Sequence, residues 1–160
     1  AKPGRVPLHT DHPQVDVVGW LCVEQDELDG ATMLLDAHPV VDSLPPAERR
    51  TLHDVELWCP PLEGGPPTLR WPVLRATTQG EAVFCSPWLR SADSIESHVK
   101  ALDLFRMSLS AAAEDSTVSI RLAPGQAIFV DNRRVLHGRR AIAEGGRRRL
   151  HRLWITVGRR

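Results

Sequence analysis

The sequence is poor in the features that define several common classes of protein. Its only three cysteines, Cys22, Cys59 and Cys85, are far apart and form no Cys-x-x-Cys pair. That spacing argues against a zinc site and against a disulfide framework, and it suits a reducing cytoplasm. No apolar run reaches the length needed to cross a membrane, and no signal-peptide pattern is present. We therefore expect a soluble, cytoplasmic protein that does not associate with membranes.

The chain also lacks an excess of either charge, because 20 basic residues balance 20 acidic ones among its 160 residues. Lysine is almost absent, and the arginines concentrate late, at residues 133–134, 139–140 and 147–149. No aromatic side chains interleave with these arginines, as they do on surfaces that bind single-stranded nucleic acid. We expect no nucleic-acid partner. The length suits one domain over residues 1–160, large enough to bury a core.

Short β-branched and apolar segments recur along the chain and predict a mainly β protein. The predicted strands cover residues 15–24, 32–37, 56–59, 71–76, 81–85, 118–122, 126–130, 134–137 and 150–157. Helical patterns cover residues 40–44, 45–54 and 94–113, the last with one apolar face. Prolines and glycines in residues 60–67 predict an irregular loop. This order predicts a β-sandwich or jelly roll that carries helical insertions.

Two histidines and a carboxylate form the most informative pattern in the sequence. His9 and Asp11 are two residues apart, and on extended backbone their side chains point the same way. His137 follows a second polar segment at the far end of the chain. Two histidines and one carboxylate on one face of a metal, with its other positions open, form the facial triad of non-haem iron(II) oxygenases. We therefore interpret His9, Asp11 and His137 as ligands of Fe(II).

The motifs around these residues resemble those of the TauD/TfdA superfamily of Fe(II)- and 2-oxoglutarate-dependent dioxygenases, especially the clavaminate synthase and γ-butyrobetaine hydroxylase-like branch. The matching segments, in the family's order, are residues 7–11, 29–32, 124–125, 131–139 and 148–152. His-x-Asp alone is a weak signal. Its combination with Asp-Asn-x-Arg-x-x-His-Gly-Arg and a later Arg-x-x-x-Arg is specific. The resemblance implies a double-stranded β-helix, a distorted, cupin-like jelly roll whose mouth holds the iron.

The same resemblance implies roles for three further side chains. Arg148 matches the arginine that holds the distal carboxylate of the cosubstrate 2-oxoglutarate, for which a planar guanidinium is well suited. Thr32 matches a threonine that hydrogen-bonds this cosubstrate. Arg152, four residues after Arg148 and on the same face of a strand, matches a position that contacts cosubstrate or substrate.

The reaction implied by the resemblance uses O2 and releases succinate and CO2. It hydroxylates an unactivated C–H bond of a small polar metabolite, such as an amino acid or an amino-acid derivative. Asp11 favours hydroxylation over halogenation, because related halogenases replace the carboxylate with a small residue that admits chloride.

Other residues of the same chemical types are interpreted as structural. These are the histidines His12, His38, His53, His98 and His151, and the tryptophans Trp20, Trp58, Trp71, Trp88 and Trp154. Among them, Trp88 is the one considered as a side chain that faces the substrate. Asn132 and Arg139 flank His137 and are expected to shape its turn or to support the ligand.

Two features depart from the family pattern. Only eight residues precede His9, whereas relatives carry a long N-terminal region, and the interval from His9 to His137 (137 − 9 = 128) is short for the family. We expect the chain to lack the N-terminal region or some loop residues of the family. Two alternatives stay open. A cupin-like metal protein would keep the three ligands but need neither Arg148 nor Thr32, and a non-catalytic fragment would bind no iron.

Overall fold

The computed structural model describes residues 4–26, 29–61, 69–78, 80–142 and 144–157. Within these ranges the secondary structure is mostly strand. In chain order the elements are β1 Val6–His9, β2 Val17–Glu24, β3 Thr32–Asp36, α1 His38–Ser43, α2 Pro46–Thr51, β4 Glu56–Cys59, β5 Leu69–Pro72, β6 Leu74–Thr77, β7 Gly80–Val83, α3 Glu96–Asp115, β8 Val118–Ile120, β9 Ala127–Asp131, β10 Val135–Arg139 and β11 Arg149–Ile155. No helix in the described ranges is both long and apolar enough to span a bilayer.

Two antiparallel sheets form the centre of the fold. The first has the strand order β1-β10-β3-β8, and the second has the order β11-β2-β9. Their shared core contains Val18 and Trp20 of β2, with Leu34 of β3 and Val135 of β10 packed against them. Because alternate residues of a strand face opposite ways, each sheet gives one set of side chains to this core. The predicted mainly β architecture with helical insertions is confirmed.

The other face of the first sheet packs against helices. Leu35 and Leu136 are next to Leu34 and Val135 in sequence, so they point away from the second sheet. They join a larger cluster that includes Phe105 and neighbouring apolar residues of α3. Each fully buried leucine or phenylalanine contributes about 1.5–3 kcal/mol relative to an exposed one. This cluster holds the helices against the sheet that carries β1 and β10.

The region between α2 and α3 differs from the sequence prediction. The single strand predicted over residues 71–76 is two strands, β5 and β6, which belong to separate hairpins with β4 and β7. Val73 between them is fully buried, and its N–H donates to the Val55 carbonyl at 2.9 Å. This bond lies outside both hairpin ladders and separates the two strands. The loop predicted over residues 60–67 falls largely outside the described ranges.

Candidate metal centre

The three predicted ligands converge where β1 meets β10. His9, at the end of β1, lies opposite His137 of β10 in the strand register, and Asp11 follows two residues later. Asp11 Oδ1 lies 3.7 Å from His9 Nε2 and 3.5 Å from His137 Nε2. The potential ligand atoms all lie within 4.8 Å of one another, the one such group of histidine, cysteine and acidic residues in the part of the chain described. The structure thus brings together the three residues predicted to bind a metal.

Gly138 allows the two strands to approach this closely. A Cβ atom at this position would lie 2.7 Å from the carbonyl oxygen of Val6, closer than real Cβ contacts come. Any side chain would therefore push β1 away from β10, and with it His9 away from His137. The glycine beside the distal histidine has a direct steric function.

The histidine nitrogens are well arranged to bind a cation. His9 Nδ1 donates to the Pro7 carbonyl at 2.9 Å, so the neutral ring presents the lone pair of Nε2. His137 is buried, and among the described residues neither of its ring nitrogens has a hydrogen-bond partner of ordinary geometry. Burial lowers the pKa of His137, although the adjacent Asp11 carboxylate opposes this shift. Unpartnered imidazole nitrogens beside a buried carboxylate fit a divalent transition metal.

The Asp11 carboxylate is only 7% exposed but well supported. Trp154 Nε1 donates to its Oδ2 at 2.7 Å, and Arg152 Nη1 donates to its Oδ1 at 3.0 Å. Burial acts to raise the pKa of Asp11, but its contacts with His137, His9 and Trp154 outweigh this effect and hold the pKa well below its ordinary value. Asp11 is therefore an anion at neutral pH, the state that binds a metal.

The segment between the two proximal ligands is fixed from its opposite side. Thr10 alternates with His9 and Asp11, so its side chain points away from them. The Thr10 hydroxyl donates to the Cys85 carbonyl at 3.2 Å and accepts from the Cys85 N–H at 3.1 Å. These bonds tie the ligand segment to the chain that follows β7.

Asn132 holds the same segment further along. Its Oδ1 accepts the N–H of Asp11 at 2.7 Å, and its Nδ2 donates to the carbonyls of His12 and Val15 at 3.2 and 2.9 Å. The side chain is 2% exposed, so these bonds do not compete with water. Asn132 thus connects the segment before His137 to the segment that carries His9 and Asp11.

A cavity of about 360 Å³ opens beside the two histidines. We call it the cationic cavity, because its polar lining includes Thr32, Arg139, Arg148 and Arg152. Arg148 Nη2 donates to Thr32 Oγ1 at 2.7 Å, so the two residues predicted to bind the cosubstrate are in contact. A guanidinium only donates, which leaves the hydroxyl hydrogen of Thr32 available for an acceptor in the cavity.

Arg148 is half-buried and held along its length. Its Nε donates to Gln25 Oε1 at 3.4 Å. Gly30 has a φ of +79°, and a Cβ there would lie 3.1 Å from Arg148 Cδ and 2.9 Å from Ile142 Cγ1, so glycine makes room for the arginine stem. Burial and the nearby charge of Arg139 both lower the pKa of Arg148. A carboxylate in the cavity would relieve this unfavourable environment.

Arg152 lies on the border between the cationic cavity and the predicted metal ligands. It lines the cavity, yet its Nη1 donates to both oxygens of Asp11, at 3.0 and 3.3 Å. Its side chain is half-exposed. The contact with Asp11 was not predicted, and its contact with cosubstrate or substrate stays a prediction.

A second cavity, of about 370 Å³, shares His9 with the first and borders Asp11. We call it the indole cavity. Its walls are mainly apolar and include Phe84, Trp88, Leu89 and Trp154. Trp88 packs edge-on against the imidazole of His9, with 4.9 Å between ring centroids. The Trp88 indole, which is considered from the sequence as a substrate-facing group, therefore lines a cavity beside the predicted metal ligands.

Trp154 is the site residue that sequence reasoning missed, because it was interpreted as a packing residue. Its signal was weak but present. Arg152 and Trp154 are two apart on β11, so their side chains share one face of the strand. The Arg-x-x-x-Arg motif predicts that this face lines the site. The two-residue period of the strand places Trp154, the next residue on that face after Arg152, at the site as well.

Comparison with known proteins identifies the fold. The sequence model of the family described as taurine catabolism dioxygenase TauD, TfdA matches residues 1–154. A structure of asparagine oxygenase in complex with Fe(II), 2S,3S-3-hydroxyasparagine and succinate has a TM-score of 0.76 and 22% identity, covering 98% of this chain and 51% of that chain. A second asparagine oxygenase structure has a TM-score of 0.72 and 22% identity, covering 98% and 50%.

A third similar structure is an α-ketoglutarate-dependent 2,4-D dioxygenase candidate from Burkholderia xenovorans, with a TM-score of 0.69 and 17% identity, covering 91% of this chain and 65% of that chain. The present chain spans about half the length of asparagine oxygenase. No curated protein matches it. The structural likenesses confirm the predicted jelly-roll type of fold.

Proposed function

We propose that this chain, which belongs to the TauD/TfdA family of dioxygenases, is an Fe(II)- and 2-oxoglutarate-dependent oxygenase core that acts as a single domain. The observation that carries the proposal is the contact between a metal-binding triad and an arginine-lined cavity. His9 and His137 belong to both. A protein that only stores or senses a metal needs the triad alone. The adjoining pair of Arg148 and Thr32 supports a carboxylate-bearing cosubstrate.

The triad suits iron(II) in its chemistry. Two imidazole nitrogens and one carboxylate oxygen bind Fe(II) on one face and leave its other positions open to small ligands. Bound Fe(II), with 2-oxoglutarate and O2, supplies the oxidising chemistry and releases succinate and CO2. The protein contributes the positions of the reactants and a shielded environment.

The cationic cavity would hold the cosubstrate. Arg148 can bind its distal carboxylate through two parallel N–H bonds, which a lysine cannot match. Thr32 already accepts one bond from Arg148, so its own hydroxyl hydrogen can complete the carboxylate site. This prior alignment reduces the conformational freedom lost when the cosubstrate binds.

We assign the substrate to the indole cavity, next to Asp11 and His9. Its largely apolar walls would keep water away from the C–H bond to be hydroxylated. An amino acid or amino-acid derivative is the proposed substrate class, and hydroxylation is the proposed outcome. The 3-hydroxyasparagine and succinate bound to the structurally similar asparagine oxygenase support this choice.

The test is iron-dependent turnover of 2-oxoglutarate. The protein would be mixed with Fe(II), O2 and 2-oxoglutarate labelled at its keto acid carboxyl group, with a panel of amino acids and their N-acyl derivatives. We expect release of labelled CO2, formation of succinate, and a product heavier by one oxygen atom in mass spectrometry.

Two variants control this test. Arg148→Ala should lose turnover at low cosubstrate, whereas Arg149→Ala should keep it, because Arg149 is the exposed neighbour on β11. Bound iron without any CO2 release or cosubstrate binding would favour the cupin-like metal protein. Failure to bind iron at all would favour the non-catalytic fragment.

A further inference from the structure

We propose that Trp154 is a positioning residue that makes Asp11 a one-oxygen metal ligand. The proposal rests on the proposed metal site and extends it by assigning separate tasks to the two oxygens of the carboxylate. Oδ1 faces both imidazoles, at 3.7 Å from His9 Nε2 and 3.5 Å from His137 Nε2. Oδ2 accepts the indole N–H of Trp154 at 2.7 Å. One oxygen is thus directed to the metal position, and the other is held back from it.

The chemistry of tryptophan suits this task. An indole nitrogen can only donate, so its partner must be an acceptor, and a carboxylate oxygen of Asp11 is that acceptor. The ring is rigid and has two side-chain torsions, so the direction of the N–H is well defined once the ring is packed. The bond is short for an N–H donor to oxygen, as expected for an ionised acceptor.

Arg152 cannot do the same work, although it also contacts Asp11. Its Nη1 reaches both oxygens, at 3.0 and 3.3 Å, and so does not distinguish between them. The guanidinium lies 5.0 Å from the centroid of the Trp154 ring, where a cation–π contact helps to hold the indole in place. Arg152 therefore contributes a positive charge beside the Asp11 carboxylate, and Trp154 fixes the orientation of that carboxylate.

The arrangement has a chemical consequence. A carboxylate that binds through both oxygens occupies two positions on a metal, whereas one that binds through Oδ1 alone occupies one. The hydrogen bond to Oδ2 thus preserves an open position, which a facial triad needs for its reactants. Trp154 also lines the indole cavity, so a molecule bound there would touch the residue that orients Asp11.

The first test measures metal binding in Trp154→Phe, which keeps an aromatic ring but removes the N–H. Trp58→Phe is the matched control, because Trp58 has similar exposure (38% against 45%) and also lies against an arginine, Arg70, at 4.4 Å. Co(II) is the probe, since its visible absorption reports coordination number as well as affinity. We expect a roughly 10–100-fold loss of Co(II) affinity and an altered spectrum in Trp154→Phe, as is usual for residues that support a ligand.

The outcomes separate this inference from the metal site itself. If Asp11→Ala binds Co(II) as tightly as the wild type, the metal site is wrong. If Asp11→Ala loses Co(II) but Trp154→Phe keeps both the affinity and the spectrum of the wild type, the positioning role is wrong. A change of equal size in Trp58→Phe would also overturn it, because that effect could not come from Asp11.

A second measurement applies even if Trp154→Phe fails to fold. The five tryptophans give five indole N–H signals in the nitrogen–proton spectrum of the wild-type chain. We expect one of them to exchange slowly with water and to shift when Zn(II) is added or when Asp11 is changed to Asn. Five indole signals that respond to neither change would overturn the proposal.

Discussion

The cationic cavity and the indole cavity share His9 and have nearly equal volumes, about 360 and 370 Å³, yet their walls differ in charge and polarity. One presents three arginines and a threonine hydroxyl, and the other presents indole, phenyl and leucine side chains. An anion needs strong donors to replace its hydration, whereas a C–H bond needs only a dry, shaped surface. The metal centre between them would therefore join two reactants with opposite requirements.

The two cavities also differ in the elements that build them. Thr32, His137 and Arg139 of the cationic cavity lie on adjacent strands of one sheet. Most of the indole cavity comes from residues 10–13, 59–61 and 84–89, which end or follow strands. Regular strands fix positions well, and loops change readily between relatives. In the proposed oxygenase, the cosubstrate site could therefore stay the same while the substrate site changes between relatives.

The largest effect is expected for Asp11→Ala, which removes the carboxylate of the proposed metal triad next to His9, the residue that the two cavities share. We predict that Fe(II) and Co(II) affinity falls by well over the roughly 100-fold seen for changes to supporting residues. The carboxylate is the one anionic ligand of the triad, and its loss leaves two neutral imidazoles. Isothermal titration under anaerobic conditions measures the change. If Asp11→Ala bound these metals as tightly as the wild type, the claim that a metal centre lies between the two cavities would be wrong.

Asn132→Ala should weaken the segment after His9, which lines the indole cavity. The substitution leaves the N–H of Asp11 and the carbonyls of His12 and Val15 buried without this partner. We expect the free energy of unfolding to fall by about 2–4 kcal/mol, measured by equilibrium urea unfolding. Gln14→Ala, an exposed side chain on the same segment, should change it little. Equal stability of the two variants would contradict the role given to Asn132.

Arg148→Lys sharpens the contrast by keeping the charge of the cationic cavity and removing the planar fork. We expect 2-oxoglutarate affinity to fall about 10–100-fold, since one charge-assisted hydrogen bond contributes roughly 1.5–3 kcal/mol. Metal affinity should stay at the wild-type value, because Arg148 does not contact the triad in the described structure. Anaerobic titration with cosubstrate measures this. Unchanged cosubstrate affinity would show that only charge matters in this cavity.

Trp88→Ala tests the other cavity. The indole packs against His9 but is 59% exposed, so its removal should not unfold the chain. We expect the substrate KM to rise about 2–10-fold, the size of a lost aromatic contact, while cosubstrate affinity stays the same. Trp58→Ala provides the control. A fall in cosubstrate affinity instead would show that the two cavities do not have separate functions.

The smallest effect is expected at a site outside both cavities. Glu81 accepts from Arg49 Nη2 at 2.7 Å and from His53 Nε2 at 2.8 Å. Burial acts to raise the pKa of Glu81, but these two bonds outweigh it and hold the pKa below 4.5. Because the folded pKa is the lower one, the stabilisation is present above pH 4.5 and is lost as pH falls through the folded value.

We therefore expect Glu81→Gln to be less stable than the wild type at neutral pH, by no more than about 1 kcal/mol. The difference should shrink as the solution is acidified, and thermal unfolding at several pH values would follow it. Metal and cosubstrate affinity should be unchanged. If the stability difference between Glu81→Gln and the wild type grew in acid, it would contradict the assigned direction of the pKa shift.

The triad and the Arg148–Thr32 pair could be predicted from sequence because their signals are local or belong to a motif. His9 and Asp11 follow from the two-residue period of a strand, and His137 follows from the need of a metal for a third ligand. The resemblance supplied Thr32 and Arg148. The structure places Arg148 against Thr32, although 116 residues separate them. No local pattern predicts that these two residues meet. The prediction came from the order of motifs in the family.

Other features depend on contacts that no local pattern encodes. Trp154 and Asp11 are 143 residues apart, and an exposed tryptophan on a terminal strand looks the same in sequence whether or not it donates to a ligand. The separation of β5 and β6 depends on the buried N–H of Val73 and its bond to Val55, within an apolar run that predicts one continuous strand. Both features, the contact of Trp154 with Asp11 and the separation of β5 from β6, depend on tertiary hydrogen bonds.

One measurement tests most directly whether a single metal centre joins an anion site to a substrate site. The Fe(II)-loaded protein would be titrated anaerobically with 2-oxoglutarate while the weak visible charge-transfer band of the chelated cosubstrate is recorded. We predict the band in the wild type and in Arg149→Ala, and in Arg148→Ala only at cosubstrate concentrations about 100-fold higher or more. An equal response in Arg148→Ala, or no band from the wild type while iron is demonstrably bound, would contradict the proposed oxygenase site.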